Sequence, residues 1–289
     1  MTDRTVFSRL ASLAAVFSFL CLVSSIGQAA PKQPQWPEDH LTIGAGYQGD
    51  SNPYIGGSPR TTPVPMIDAR WGSLFIEGWR VGFEFVRMGQ VSLALAAMWD
   101  VTELDLLEIN DANQALFDGI GDKKPTGQVG LIGHYYSPVG LVEASYFHDV
   151  TNKHDSSWMN LKIANPIPET GAWFINPGFF VKVYNEKYNR YYYGVSADDN
   201  VRGAKIFYNT PFEVLPERLA EYESNFRPRY KPGNSGHIGV DLEVDYSLTP
   251  GLKIQSYWSL EILTGEVETS PLVEDKEIYL IEVGLTYTF

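Results

Sequence analysis

From Leu41 to the C-terminus, apolar and polar side chains alternate in runs about ten residues long, the period of strands that turn one face to an apolar medium. The last thirteen residues show it most clearly. Tyr279, Ile281, Val283, Leu285, Tyr287 and Phe289 fall on one side of a two-residue period, and Glu282, Gly284, Thr286 and Thr288 on the other. In a soluble sheet the apolar side would bury itself under a second layer. In a transmembrane barrel it meets lipid while the polar side faces a wet lumen. A closing strand with an aromatic third from the end and a C-terminal Phe matches the way bacterial outer-membrane barrels end, so Tyr287 and Phe289 read as a membrane-assembly signal.

The same alternation predicts strands near 41–48, 62–77, 80–88, 90–100, 127–136, 139–149, 157–164, 171–184, 187–195, 236–247, 252–263 and 277–289. The expected fold is all-β: a closed antiparallel transmembrane β-barrel of about 12 strands, an even number as single-chain bacterial barrels have, with 10 or 14 as alternatives. The stretch 62–77 also reads as two short strands around Gly72. Parity counted back from Phe289 puts 196–235 and 264–276 outside the cell. It puts Val101–Thr126, Thr151–Ser157 and Asn185–Asn189 in the periplasm. Leu104, Leu107 and Leu116 recur there at helical spacing, which makes them a candidate periplasmic contact.

Upstream, Arg4 and Arg9 precede an apolar run from Leu10 to Ile26 and the small residues Gly27 and Ala29. The run is about 17 residues, short for a spanning helix, so residues 1–29 read as a cleaved signal peptide and 30–289 as the barrel. Cys21, the single cysteine, falls inside that leader and leaves a mature chain without disulfides. The full chain carries a net charge of −13, and loss of residues 1–29 makes it −14, which repels phosphate backbones and excludes nucleic acid as a partner. It suits a surface among outer-membrane lipid, lipopolysaccharide and divalent cations. With 17 Tyr, 15 Phe and 7 Trp, the chain is rich enough in aromatics to supply interfacial girdles.

On 236–248, Asp241, Glu243 and Asp245 share the face opposite Ile238, Val240, Leu242, Val244 and Tyr246, and three acidic groups in a row must face water. Thr249-Pro250-Gly251 turns this strand into the next, and a register summing to 498 sets Asp245 opposite Lys253. Asp68 and Arg70 share another polar face. These six are the candidate lumen charges: Asp68, Arg70, Asp241, Glu243, Asp245 and Lys253. His154-Asp155-Ser156 places an imidazole two residues from a hydroxyl, the spacing of an outer-membrane phospholipase, though the segment reads as a polar turn. The other histidines are dispersed without metal-ligand spacing, and no cofactor motif is present in the sequence.

Gly44-Ala45-Gly46-Tyr47 with its acidic, Gly- and Ser-rich loop, then Pro63-Val64-Pro65-Met66-Ile67-Asp68-Ala69-Arg70-Trp71-Gly72, Tyr192-Tyr193-Gly194-Val195-Ser196, Thr269-Ser270-Pro271-Leu272-Val273 and the terminal Gly284-Leu285-Thr286-Tyr287-Thr288-Phe289 resemble the MltA-interacting protein (MipA/OmpV) family of outer-membrane proteins. The resemblance covers both ends of the mature chain better than residues 100–185. It implies a barrel in the outer membrane that is not an enzyme and that acts as a scaffold for a murein transglycosylase and a murein synthase. A small porin-like channel or surface adhesin is the alternative, and a lipolytic enzyme a more distant one.

Overall fold

A computed structural model describes residues 37–102, 105–137 and 140–289, so the expected signal peptide lies outside the described residues. Thirteen strands make one antiparallel sheet: β1 (His40–Asp50), β2 (Arg60–Trp71), β3 (Leu74–Glu77), β4 (Arg80–Met88), β5 (Val91–Asp100), β6 (Thr126–Ser137), β7 (Gly140–Asp149), β8 (Ser157–Ala164), β9 (Ile167–Thr170), β10 (Trp173–Tyr184), β11 (Ser235–Ser247), β12 (Leu252–Ile262) and β13 (Glu277–Thr288). β8 and β9 both pair with β10 and form one interrupted strand, so the sheet has twelve positions. It closes where β1 pairs with β13, from Thr42 opposite Thr288 to Asp50 opposite Leu280. That pairing joins the first strand to the last and removes the two terminal edges, which hydrocarbon would penalise at every free N–H and C=O.

Glycine makes that seam possible. A Cβ on Gly44 would stand 2.3 Å from the Leu285 carbonyl oxygen. Inside the wall, a Cβ on Gly82 would strike the ring of Phe75, which lies flat on that bare backbone. Phe75, Ala94, Ala96, Ile132 and Phe147 pack together on this inner surface. The outer face carries the apolar half of each alternation: Ile43 and Tyr47 on β1, Leu93, Leu95 and Trp99 on β5, Ile281, Val283 and Leu285 on β13 are exposed. Rings collect at its two rims, with Trp71, Tyr135, Trp173 and Tyr287 at one end and Tyr47, Trp79, Trp99 and Tyr279 at the other, as headgroup boundaries favour.

Two strand assignments change while the total of twelve stands. Residues 187–195 are not a strand but lie largely in helix α2 (Glu186–Tyr193), which follows α1 (Gln114–Phe117) in the chain. Asn185 caps α2 by accepting from the Tyr188 N–H, and Glu186 pairs with Arg190 one turn on. Those local bonds override the strand preference of three consecutive tyrosines. Residues 62–77 divide into β2 and β3 around Gly72, whose φ of 59° makes the turn. The two changes offset each other in number but not in direction, and every connection between residues 78 and 189 moves to the opposite end of the barrel.

Short turns at 72–73, 89–90, 171–172 and 248–251 therefore share one end with both ends of the sheet, His40 and Thr288. Long connections at 51–59, 101–125, 150–156, 185–234 and 263–276 share the other. Short turns face the periplasm and long loops the exterior in such barrels. Val101–Thr126, Thr151–Ser157 and Asn185–Asn189, all expected beneath the barrel, stand at the outer end. Leu116 packs against a buried cluster there, Leu104 lies outside the described residues, and only the backbone of Leu107 is described.

Candidate functional site: a capped lumen

The outer loops build a lid. Tyr54 from the first loop, Ile109, Phe117 and Ile120 from the second, Tyr188, Tyr192, Tyr193 and Val195 from the fourth, and Leu263, Val267 and Leu272 from the last form one buried cluster over the barrel mouth. Besides apolar burial, polar crosslinks fix it: the Tyr54 hydroxyl donates to the Tyr192 carbonyl at 3.1 Å, and Ser270 Oγ to the Tyr193 carbonyl at 2.7 Å. Burial raises the pKa of Tyr54, Tyr188, Tyr192 and Tyr193, so these phenols stay protonated donors. Tyr191 to Tyr193, expected at the end of a strand near 187–195, are instead part of the lid.

The longest loop adds α3 (Ala197–Phe207), begun by a Ser196–Asp199 capping box, and α4 (Pro216–Asn225). Arg227 joins them to the second loop. Its side chain is fully buried and donates to the carbonyls of Leu116, Asp118 (2.9 Å) and Asp199 (3.1 Å) and to Asn200 Oδ1 (3.1 Å). Burial lowers its pKa, and the ring of four oxygens compensates the charge.

Below the lid the inner wall is charged. Lys182 and His237 both reach Glu261, at 2.5 and 2.7 Å, while Arg60 holds Asp50 at 2.7 Å and Glu108 at 3.6 Å. These groups, with Tyr54, Tyr184, Tyr188 and Tyr257, line a cavity of about 250 Å³ between lid and wall. Farther round, Glu143 receives Arg80 at 3.0 Å and His134 at 3.2 Å.

All six candidate lumen charges lie on the inner wall, in three separate groups. Asp241 pairs with Lys162 at 3.0 Å, Glu243 accepts from Asn176 at 3.2 Å, and Asp245 stands 3.7 Å from Lys253. The register of that hairpin sums to 500 and not 498: Asp245 is opposite Gln255 and Lys253 opposite Ser247. Leu248 to Gly251 form a four-residue turn, and a shift of two residues keeps both charges on one face, so the contact survives as a diagonal. Asp68 and Arg70 do not pair with each other. Asp68 meets His40 at 3.1 Å, whereas Arg70 is buried against Glu84 at 2.8 Å, with Arg87 also on Glu84.

The His154–Ser156 pair forms as its spacing suggests, but beneath the lid. Ser156 is 1% exposed and the His154 ring packs at steep angles among Tyr188, Tyr191 and Tyr192. Asp149 does not complete a triad: it stands 3.7 Å from His154 Nδ1, the nitrogen that already meets Ser156, and its carboxylate accepts the N–H groups of Thr151, Lys153, His154 and Asp155 and shapes the loop. A serine so enclosed has no approach for an ester. The charges that sequence reading missed, Glu84, Lys182, Glu261 and Glu143, sit at inward positions of correctly read strands, and the alternation was the signal for them. Arg227 lies in a loop with no periodicity to expose it.

Residues 42–289 match the family described as MltA-interacting protein MipA. The chain belongs to that family. Among its relatives, the MltA-interacting protein of Escherichia coli K12 is 23% identical over 257 residues, covering 87% of this chain and 91% of the relative. The YiaT protein of the same strain is 23% identical over 261 residues, covering 90% and 96%. Solved structures that the chain is similar to include an outer membrane channel of Pseudomonas putida F1 (12% identity, 91% of this chain and 100% of that one, TM-score 0.41). The autotransporter NalP translocator domain of Neisseria meningitidis is another (10%, 98% of both chains, TM-score 0.41). This MltA-interacting family member is an outer-membrane β-barrel, and its described residues contain no group of His, Cys, Asp and Glu arranged to hold a metal ion.

Proposed function

We propose that this barrel is an interaction protein that holds murein-processing enzymes, a transglycosylase and a synthase, at the inner surface of the outer membrane. The observation that carries the reading is the lid: four outer loops share one buried aromatic cluster over the mouth, an arrangement suited to a closed platform more than to a pore. Kinship with proteins named for an interaction with MltA supports the partner class. The contact surface on this reading is the turn end, where Asp68, Glu243, Asp245 and Lys253 stand on the inner wall near the mouth and carry a net negative charge. Leu107 and Leu116 belong to the outer end and have no part in it.

The test is capture of purified MltA by the detergent-solubilised barrel. Reversing charge at Asp68 and Glu243 is expected to weaken capture and the effect to fade in high salt, whereas Leu116→Ala leaves it intact. Equal capture by both variants and the parent would refute the placement, and no capture by the parent would refute the partner. A porin-like channel is the second reading, favoured by the inward row Asp241, Glu243 and Asp245. It requires the lid to move, and single-channel conductance measured with the intact lid separates the two.

A further inference from the structure

Ser157 and His148 are directly paired across β8 and β7, on the face that meets lipid. Their row continues through Val129, Ala97 and Val81, two residues inside Trp99 and so next to the outer aromatic rim. There Ser157 Oγ is 2.9 Å from His148 Nδ1 and 2.8 Å from the Tyr146 hydroxyl. His148 Nε2 in turn is 3.7 Å from Asp155 Oδ1. Asp155 is held at φ 46° on one side and by Lys187 at 2.5 Å on the other, and Lys187 keeps its carboxyl ionised by lowering its pKa. A serine hydrogen-bonded to an imidazole, with a carboxylate 3.7 Å beyond the second ring nitrogen, supplies the parts of nucleophilic ester cleavage. Unlike His154 and Ser156 they are open, with His148 42% and Asp155 66% exposed.

A groove of about 610 Å³ runs across the strands of the lipid-facing wall, from β3 to β7, and ends beside this cluster. Tyr146 and His148 stand at one end, and Val81, Phe83, Leu95 and Leu131 line its length. Its floor is low because Gly82, Ala96, Ala97 and Gly130 carry little or no side chain. Polar groups at the mouth of an apolar trough, on a surface that lipid already covers, fit an amphiphile with its chain in the trough and its ester at the serine.

We propose that Ser157, His148 and Asp155 form an acyl-ester hydrolysing site at the outer-leaflet boundary, with long-chain fatty acyl esters as substrate. Ser157 Oγ attacks the carbonyl carbon while its proton passes to His148 Nδ1, and Asp155 faces the imidazolium that results. The Tyr146 hydroxyl donates to the developing oxyanion. The bond to the alkoxy oxygen then breaks, and the alcohol leaves with the proton from His148. Water repeats the sequence on the acyl-serine, His148 accepting its proton, to release the fatty acid and restore the serine. This activity is independent of the scaffold reading.

The test uses the full barrel in detergent micelles, with p-nitrophenyl palmitate and butyrate as substrates and a fluorophosphonate as covalent probe. Folding of each variant is checked by β-sheet circular dichroism and by resistance to cold SDS. The parent is expected to turn over both esters and to be labelled at Ser157; Ser157→Ala loses both properties, and His148→Ala loses about 100-fold or more in kcat. Ala97→Phe, which fills the groove, is expected to raise KM for palmitate more than for butyrate. A folded parent that hydrolyses neither ester faster than Ser157→Ala, or that is labelled at a different serine, overturns the proposal.

Discussion

Replacing Arg227 with Ala tests how the lid is held. The guanidinium is fully buried and satisfies four oxygens, three of them main-chain carbonyls drawn from both sides of the joint between the second and fourth loops. Each buried acceptor left unmatched costs about 1–3 kcal/mol, and hydrogen bonds from a charged donor contribute about 1.5–3 kcal/mol each. Water entering the vacated space re-solvates some acceptors, so the net loss is expected at about 3–5 kcal/mol. That loss falls on the lid, because the oxygens that Arg227 satisfies all belong to loop residues. The variant should therefore keep its cold-SDS resistance while α3 and α4 open locally. Limited trypsin digestion of the micellar protein reads this at Lys205, Arg218 and Arg229: cleavage should rise by two orders of magnitude or more, since about 1.4 kcal/mol is tenfold. Arg227→Lys, with three donors for four acceptors, should fall between. If Arg227→Ala is cut no faster than the parent, the residue is not what joins the loops.

Burial holds the His154 pKa below its ordinary value near 6.5, so the opened loop binds more protons than the closed one below that pH. Lid stability should be constant above about pH 6.5 and decline as pH falls from there toward the folded value; hydrogen exchange of 150–156 would show it, and His154→Asn should flatten the slope. Glu84→Ala leaves Arg70 buried without its carboxylate inside the wall and is expected to cost about 3 kcal/mol, seen as a lower temperature for loss of the compact gel band. Gly44→Val puts a branched side chain where even a Cβ meets the Leu285 carbonyl at 2.3 Å. Folding into lipid vesicles should fail, and efficient closure would show that the seam has room.

The sequence by itself determined which residues face lipid and which face the lumen, because a strand has a period of two and hydrocarbon tolerates only one kind of face. Asp241, Glu243 and Asp245 point inward, and Ile281, Val283 and Leu285 outward, as the alternation requires. The same rule located strands such as 80–88 and 236–247 to within a residue or so. It did not determine which end of the barrel a connection occupies, since that depends on the parity of all strands between it and a terminus. Tyr191 to Tyr193 suit a strand and a helix alike, and the cap at Asn185 together with burial under the lid decided for the helix. Partners were likewise decided only in three dimensions. Asp68 and Arg70 lie two residues apart yet meet His40 and Glu84, because neighbours in a closed sheet are set by register across strands, and Arg227 finds its four oxygens only after distant loops have folded over one mouth.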